Sequence, residues 1–127
     1  MSHSHKSSNL KTLHQQLGKK AEDLAASYLQ KKGFSIIARN YRHKKAEVDI
    51  IAQKKTRLLF VEVKARTSNR FGYPEEFVVP SKQALLREAA ENYIIEHDWN
   101  QAIRFDIITV LQTDDKVQIV HFEDAFY

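Results

Sequence analysis

The sequence predicts an α/β domain: a mixed β-sheet with helices packed on it, in the element order α-β-β-β-α-β-β. Three observations predict it. Apolar residues recur at three- and four-residue steps over 11–32 and again over 82–97, the period of a helix. Five other stretches are rich in β-branched and aromatic residues and are separated by turn-forming residues. The chain between the third and fourth of these is long enough for a helical crossover, the link that parallel neighbours require, and such a crossover is right-handed.

The bulk composition agrees. At 127 residues, with 43% hydrophobic and 28% charged residues, the chain fits one compact domain. Only three glycines and two prolines argue for regular elements with short links. The absence of cysteine excludes disulfides, thiolate metal sites and a cysteine nucleophile, and suits a reducing compartment. No apolar run is long enough to span a bilayer, and the N-terminus lacks the apolar core of a signal peptide, so a cytoplasmic location is expected. A net charge of +4 suits an anionic partner, of which nucleic acid is the commonest.

Taken in order, residues 1–10 are polar and read as a disordered tail, leaving 11–127 as a single domain. In the first helix Leu13, Leu17, Ala21, Leu24, Ala25 and Tyr28 form one stripe, and Gly33 ends it. Gly18 beside the stripe would let the helix approach a sheet closely. Glu22 falls on the stripe's edge, positioned either to lean toward the sheet or to point into water. Strands follow at 34–42, 46–53 and 57–65, the last two joined by a short polar turn and expected to pair as an antiparallel hairpin. Residues 66–80 hold both prolines and read as a functional loop. Ser81 is expected to cap the second helix. Strands at 102–112 and 117–122 close the domain.

The hairpin carries an anomaly. Its strands are strongly apolar, yet Glu47 and Asp49 interrupt the first, and Glu62 and Lys64 the second. Alternate residues of a strand share a face. With a two-residue turn at Lys55-Thr56, Asp49 is set opposite Glu62, and Glu47 opposite Lys64. That register also gathers Val48, Ile50, Leu59, Val61 and Val63 on the other face. Directly opposed carboxylates, roughly 5 Å apart at Cβ, are destabilising unless something binds between them. Oxygen ligands of this kind suit Mg²⁺ or Mn²⁺. Lys64, projecting beside Glu62, could orient an attacking water and offset negative charge on a phosphate. The competing account is a solvated face on which Glu47 and Asp49 form weak surface ion pairs with Lys64. That account leaves Ile51, Leu58 and Phe60 on the same face unexplained.

At these residues the chain resembles the PD-(D/E)xK nucleases, with Asp49 as the motif aspartate and Glu62-Val63-Lys64 as (D/E)xK. It resembles more closely the YraN-type family of bacterial endonuclease-like proteins, from about Gly18 to Tyr127. The blocks that carry this are GKKAEDLAASYL, ARNYRHKKAEVDIIA, LLFVEVKART, RFDIITV and HFEDAFY. Ala21 and Ala46 stand where that family usually has glycine. The resemblance implies a restriction-endonuclease-like sheet flanked by helices and a metal-dependent endonuclease. Asp49, Glu62 and the Val63 carbonyl would hold Mg²⁺ or Mn²⁺. Glu22, similar to the helical glutamate of archaeal Holliday-junction resolvases, would hold the metal or a bound water. Lys64 would position the nucleophile, and Glu47 would support Lys64 or add a ligand. Junction-cutting relatives act as dimers, so a homodimer is expected by analogy.

Other residues have two readings each. Lys82 and Gln83 open the second helix, either as phosphate-contacting support for the site or as an ordinary first turn. Arg66, Arg70 and Lys82 border the 66–80 loop with Phe71 and Tyr73, a pattern that suits a nucleic-acid backbone and base stacking, DNA more than RNA, or a loop whose aromatics fold back on the core. Arg104 and Asp106 share a strand face and are expected to ion-pair and fix the sheet. Trp99 is read as core or interface. His43 and His121 have no ligand partner at useful spacing and receive no role. Two rival functions stand beside the nuclease: a nucleic-acid-binding module that does not cut, and a protein-interaction domain whose basic charge is incidental.

Overall fold

Two apolar layers sort the chain onto the two faces of one five-stranded sheet. The computed structural model describes residues 5–66 and 78–127, with side chains from Gln15 onward. Helix α1 (His5–Lys31) is followed by β1 (Ser35–His43), β2 (Ala46–Lys54) and β3 (Arg57–Arg66). Then come α2 (Pro80–Glu96), β4 (Ala102–Gln112) and β5 (Val117–Phe126). The order is the expected one, and the strands lie in the sheet in chain order. Antiparallel pairs join β1 to β2, β2 to β3 and β4 to β5, while β3 and β4 run parallel with α2 as their connection.

Each helix covers one face. Ala21, Ala25, Ala26 and Leu29 of α1 pack on Ile50, Ala52, Leu59, Val61, Val63, Ile108 and Val110. Leu86, Ala89, Ala90 and Tyr93 of α2 pack on Ala46, Val48, Ile51, Leu58, Phe60, Phe105 and Ile107. Fully burying aliphatic side chains of this kind stabilises by about 1.5–3 kcal/mol each. The methyls of Ala21 and Ala46 are buried in these two layers.

Several local expectations are corrected. Helix α1 begins at His5 rather than at residue 11. Gly33 does end the helix, with φ +95°, and the Phe34 amide donates to the Leu29 carbonyl at 3.0 Å. Gly18 does not seat the helix on the sheet, since a Cβ there would meet open space. Ser81 is not the cap of α2. The helix starts two residues earlier, with Pro80 in its first turn after Val79, because proline's fixed φ suits a position whose amide needs no partner. Strand β5 runs to Phe126 rather than ending at 122. No helix among the described residues is long and apolar enough to cross a membrane.

Candidate metal and phosphate site

The β2–β3 hairpin has the expected register, from Lys54 opposite Arg57 to Ile50 opposite Val61. Beyond Ile50 the two strands part, and the pairing does not continue to Asp49–Glu62 or Glu47–Lys64. The side-chain alternation also breaks there. Val48 and Ile51 pack in the same layer against α2, while Ile50 between them faces α1. Strand β1 makes the matching switch: Ala38 and Tyr41 both face α2, and Asn40 between them has φ +54°. The expectation that Val48 shares a face with Ile50 and Val61 is therefore corrected. A left-handed residue in one strand shifts the parity of both strands at the same level, and Asp49 sits at the break.

This break builds the site. Where β2 and β3 diverge, the Val63 amide meets no β2 carbonyl. It donates instead to Asp49 Oδ2 at 2.8 Å. Glu62 projects toward α2, only 3% exposed, and Lys82 from the first turn of α2 reaches its Oε2 at 2.6 Å. Lys64 Nζ lies 3.5 Å from the same oxygen. The other oxygen, Glu62 Oε1, is buried with no hydrogen-bond partner among the described residues. Such a lone buried carboxylate oxygen is costly unless something binds it.

The electrostatics match this geometry. Burial, then the neighbouring Glu62 charge, pushes the Asp49 carboxyl up to about 8; Glu22 adds to the rise, while the Val63 amide and Lys82 act against it. Burial pulls the Lys82 ammonium down, but its hydrogen bond to Glu62 and the charges of Glu62 and Asp49 outweigh that, so it is held above its ordinary value.

Glu22 approaches from the α1 side, held by Asn40 Nδ2 at 3.2 Å and near Arg39 at 3.5 Å. It borders an open cleft of about 620 Å³ with Gly18, Arg39, Asn40 and Glu47. Glu47 is not opposite Lys64. It pairs across the strand with Arg42, whose guanidinium is 3.7 Å away. Gln83 turns from the site, its Nε2 donating to the Val78 carbonyl at 2.8 Å, and so anchors the entry to α2. Arg66 lies at the end of β3, half-buried. Arg70, Phe71 and Tyr73 lie outside the described residues.

The structure thus brings together Asp49, Glu62, Lys64 and Lys82, with Glu22 close enough to bias Asp49. Among the described residues no three His, Asp or Glu side chains form a ready cage. Mg²⁺ does not need one, because it is commonly held by one or two carboxylates with water and substrate phosphate filling the rest. The donor set, the buried Glu62 with its lone oxygen and the half-buried Asp49 beside it, fits such a cation.

Residue-by-residue reading missed Asn40. Its signal was present: asparagine is depleted in strands yet tolerates the left-handed region better than other side chains. His121, given no role, belongs to a second cluster. Its Nε2 lies 2.7 Å from Asp106 Oδ2 and its Nδ1 lies 3.1 Å from the Tyr28 hydroxyl. The expected Arg104–Asp106 pair is present and two-pronged, at 2.8 Å for both contacts.

Comparison with known sequences follows this geometry. Residues 21–110 match the uncharacterised protein family UPF0102, and the chain belongs to that family. It is 52% identical over 114 residues to a UPF0102 protein of Flavobacterium psychrophilum, covering 90% of this chain and 96% of the relative. It is 46% identical over 120 residues to one of Flavobacterium johnsoniae, with the same coverages. A more distant relative, from Syntrophomonas wolfei, is 41% identical over 115 residues, covering 90% of this chain and all of the relative.

Proposed function

We propose that this UPF0102 protein is a cytoplasmic, divalent-metal-dependent endonuclease of the PD-(D/E)xK type, hydrolysing phosphodiester bonds in nucleic acid, DNA in preference to RNA. The observation that carries the reading is the Glu62 carboxylate, buried with Oε1 unpartnered among the described residues, beside an Asp49 that burial and Glu62 hold protonated well above its ordinary range. A folded domain keeps such an arrangement at a cost to stability, which is the mark of a functional site. Asp49, Glu62 and the Val63 carbonyl would hold Mg²⁺ or Mn²⁺, with Glu22 on the far side of the strand gap holding a bound water or the same ion. The cation, when bound, lowers the pKa of water and offsets charge on the phosphate.

The chain's own groups do the rest. Lys64, beside Glu62, donates a hydrogen bond to the oxygen of the attacking water and so orients it. Lys82 stabilises the charge that builds on the phosphate oxygens. Because Asp49 must lose its proton to accept a cation, cation binding and activity rise with pH toward about 8. Arg66 and Arg70 would contact the strand's phosphates. Cutting a branched substrate needs two sites, so that activity would require a homodimer.

The rival is a nucleic-acid-binding module that does not cut. One observation favours it: Glu62 Oε2 carries two ammonium groups, and Glu22 is tied to Asn40 and Arg39. Incubation of the pure protein with duplex, single-stranded and branched DNA and with RNA, in Mn²⁺ or in EDTA, separates the two. Cleavage in Mn²⁺ that disappears in EDTA and in Asp49→Asn supports the enzyme. Binding without cleavage of any substrate supports the module. Absence of binding at moderate salt overturns both.

A further inference from the structure

The charges of the metal-site cluster lie near the C-terminal end of β3. At its other end, five residues or roughly 17 Å away along the strand, a second polar cavity opens under the β2–β3 turn. It encloses about 410 Å³ and is lined by Lys32, Lys54, Lys55, Arg57 and Arg104, with Glu123 as its single carboxylate among the described residues. We propose that this cavity is a phosphate-ester binding site separate from the metal site.

The cavity is built rather than incidental. Two of its cations are fixed by one chain of hydrogen bonds through the sheet's α1 face. Lys32 Nζ donates to the Tyr28 hydroxyl at 3.1 Å, and that hydroxyl meets His121 Nδ1 at 3.1 Å. His121 Nε2 meets Asp106 Oδ2 at 2.7 Å, and Arg104 grips the same carboxylate with two N–H groups. Asp106 is fully buried and the His121 side chain is only 4% exposed, so Arg104 cannot swing away from the cavity wall.

What remains available points to phosphate. Arg104 has three N–H groups beyond the two on Asp106, and one of its terminal nitrogens stands 3.6 Å from the exposed Glu123. Lys54 covers the Lys32 carbonyl at 2.8 Å, cancelling the negative end of α1 at the cavity's edge. The exposed Lys55 and Arg57 side chains make no hydrogen bond or ion pair among the described residues. Counting Asp106 and Glu123 against the five cations leaves a local excess of three positive charges. A guanidinium held in place by Asp106, with the Lys55 ammonium and the Arg57 guanidinium free to turn toward a ligand, is a donor set that suits phosphate oxygens. The volume exceeds that of one phosphate and falls in the range of nucleotide-sized ligands.

The phosphate could come from a nucleic-acid strand continuing past the metal site or from a free nucleotide, and the test distinguishes them. Trp99 is the only tryptophan, and its indole donates at 3.2 Å to the carbonyl of Ala102, which lines the cavity. Tripolyphosphate is titrated into the full chain in EDTA at constant ionic strength, followed by Trp99 emission and by calorimetry. The wild type is expected to bind saturably, and the Lys55→Ala/Arg57→Ala double variant at least about tenfold more weakly, in keeping with the loss of two charge-assisted contacts. A wild-type response reproduced by sodium chloride alone, or equal binding by the double variant, overturns the proposal. A single-stranded oligonucleotide titrated in the same buffer identifies the source. A matching loss of affinity in the double variant assigns the site to a strand, and unchanged affinity assigns it to a free nucleotide. Because EDTA is present throughout, failure of the metal site leaves this result intact.

Discussion

Lys82 Nζ touches Glu62 Oε2 at 2.6 Å while the other oxygen of the same buried carboxylate has no partner among the described residues. The ammonium therefore stabilises Glu62 from one side only, and it sits where it would compete with a cation for Glu62's charge. Replacing Lys82 with alanine is expected to destabilise the cation-free protein by about 1–3 kcal/mol. In Lys82→Ala the thermal upshift caused by Mn²⁺ is expected to exceed that of the wild type. An upshift smaller than the wild type's would mean that Lys82 helps to hold the cation rather than stand in for it.

Asp49 gives stability a pH dependence of unusual sign. Its carboxyl holds a proton to about pH 8 in the folded state, against an ordinary value of 3.8. Between those values the unfolded chain binds fewer protons than the folded one, so this group's contribution is fully present below the lower value and is lost as pH rises through the upper one. Cation-free protein is expected to lose stability from pH 5 toward pH 8, by an amount on the order of a few kcal/mol. Asp49→Asn should flatten that slope, raise stability at pH 8 and remove the response to Mn²⁺. Chemical denaturation across this range, with and without Mn²⁺, is the measurement. A wild-type slope retained in Asp49→Asn would assign the effect elsewhere.

Asn40 combines a backbone role with a side-chain role, and two substitutions separate them. Glycine keeps the left-handed conformation but releases Glu22, so Asn40→Gly is expected to fold nearly as stably as the wild type and to cleave at least tenfold more slowly. Alanine keeps neither, and should also lose about 1–2 kcal/mol. If Asn40→Gly cleaves at the wild-type rate, the contact to Glu22 has no part in the reaction.

The Arg104–Asp106–His121 cluster serves stability in the opposite pH direction. Burial raises the Asp106 carboxyl, but its hydrogen bonds to His121, Arg104 and the Asp124 amide outweigh this and hold it below its ordinary value. Its contribution is present above the unfolded value and is lost only as pH falls through the depressed folded value. Asp106→Ala leaves the half-buried Arg104 guanidinium and His121 without their shared carboxylate and should cost about 1–3 kcal/mol. Melting curves at neutral pH check this, and a loss under 1 kcal/mol would show that Arg104 finds another partner.

Much of this was legible in the chain itself. The periods of the apolar residues gave both helices and all five strands in order. The two-residue turn at Lys55-Thr56, together with the apolar parity of 50–61, set the hairpin register. That register brought Asp49 near Glu62 and Lys64, because alternation along a strand is a local property. What alternation could not anticipate was its own interruption. Beside Asp49 the left-handed Asn40 accompanies a switch in the facing of Val48, the β1–β2 register shift between Ile36 and Ala38 sets Arg42 opposite Glu47, and where β2 and β3 part Asp49 gains the Val63 amide. Nor could spacing join Tyr28 to His121, or Lys82 to Glu62. The sequence by itself determined which residues lie on which element, since that follows from periods of two and of 3.6. Tertiary structure alone decided which charges meet, because a helix laid on a sheet brings together side chains whose separation in the chain carries no information about their distance in space.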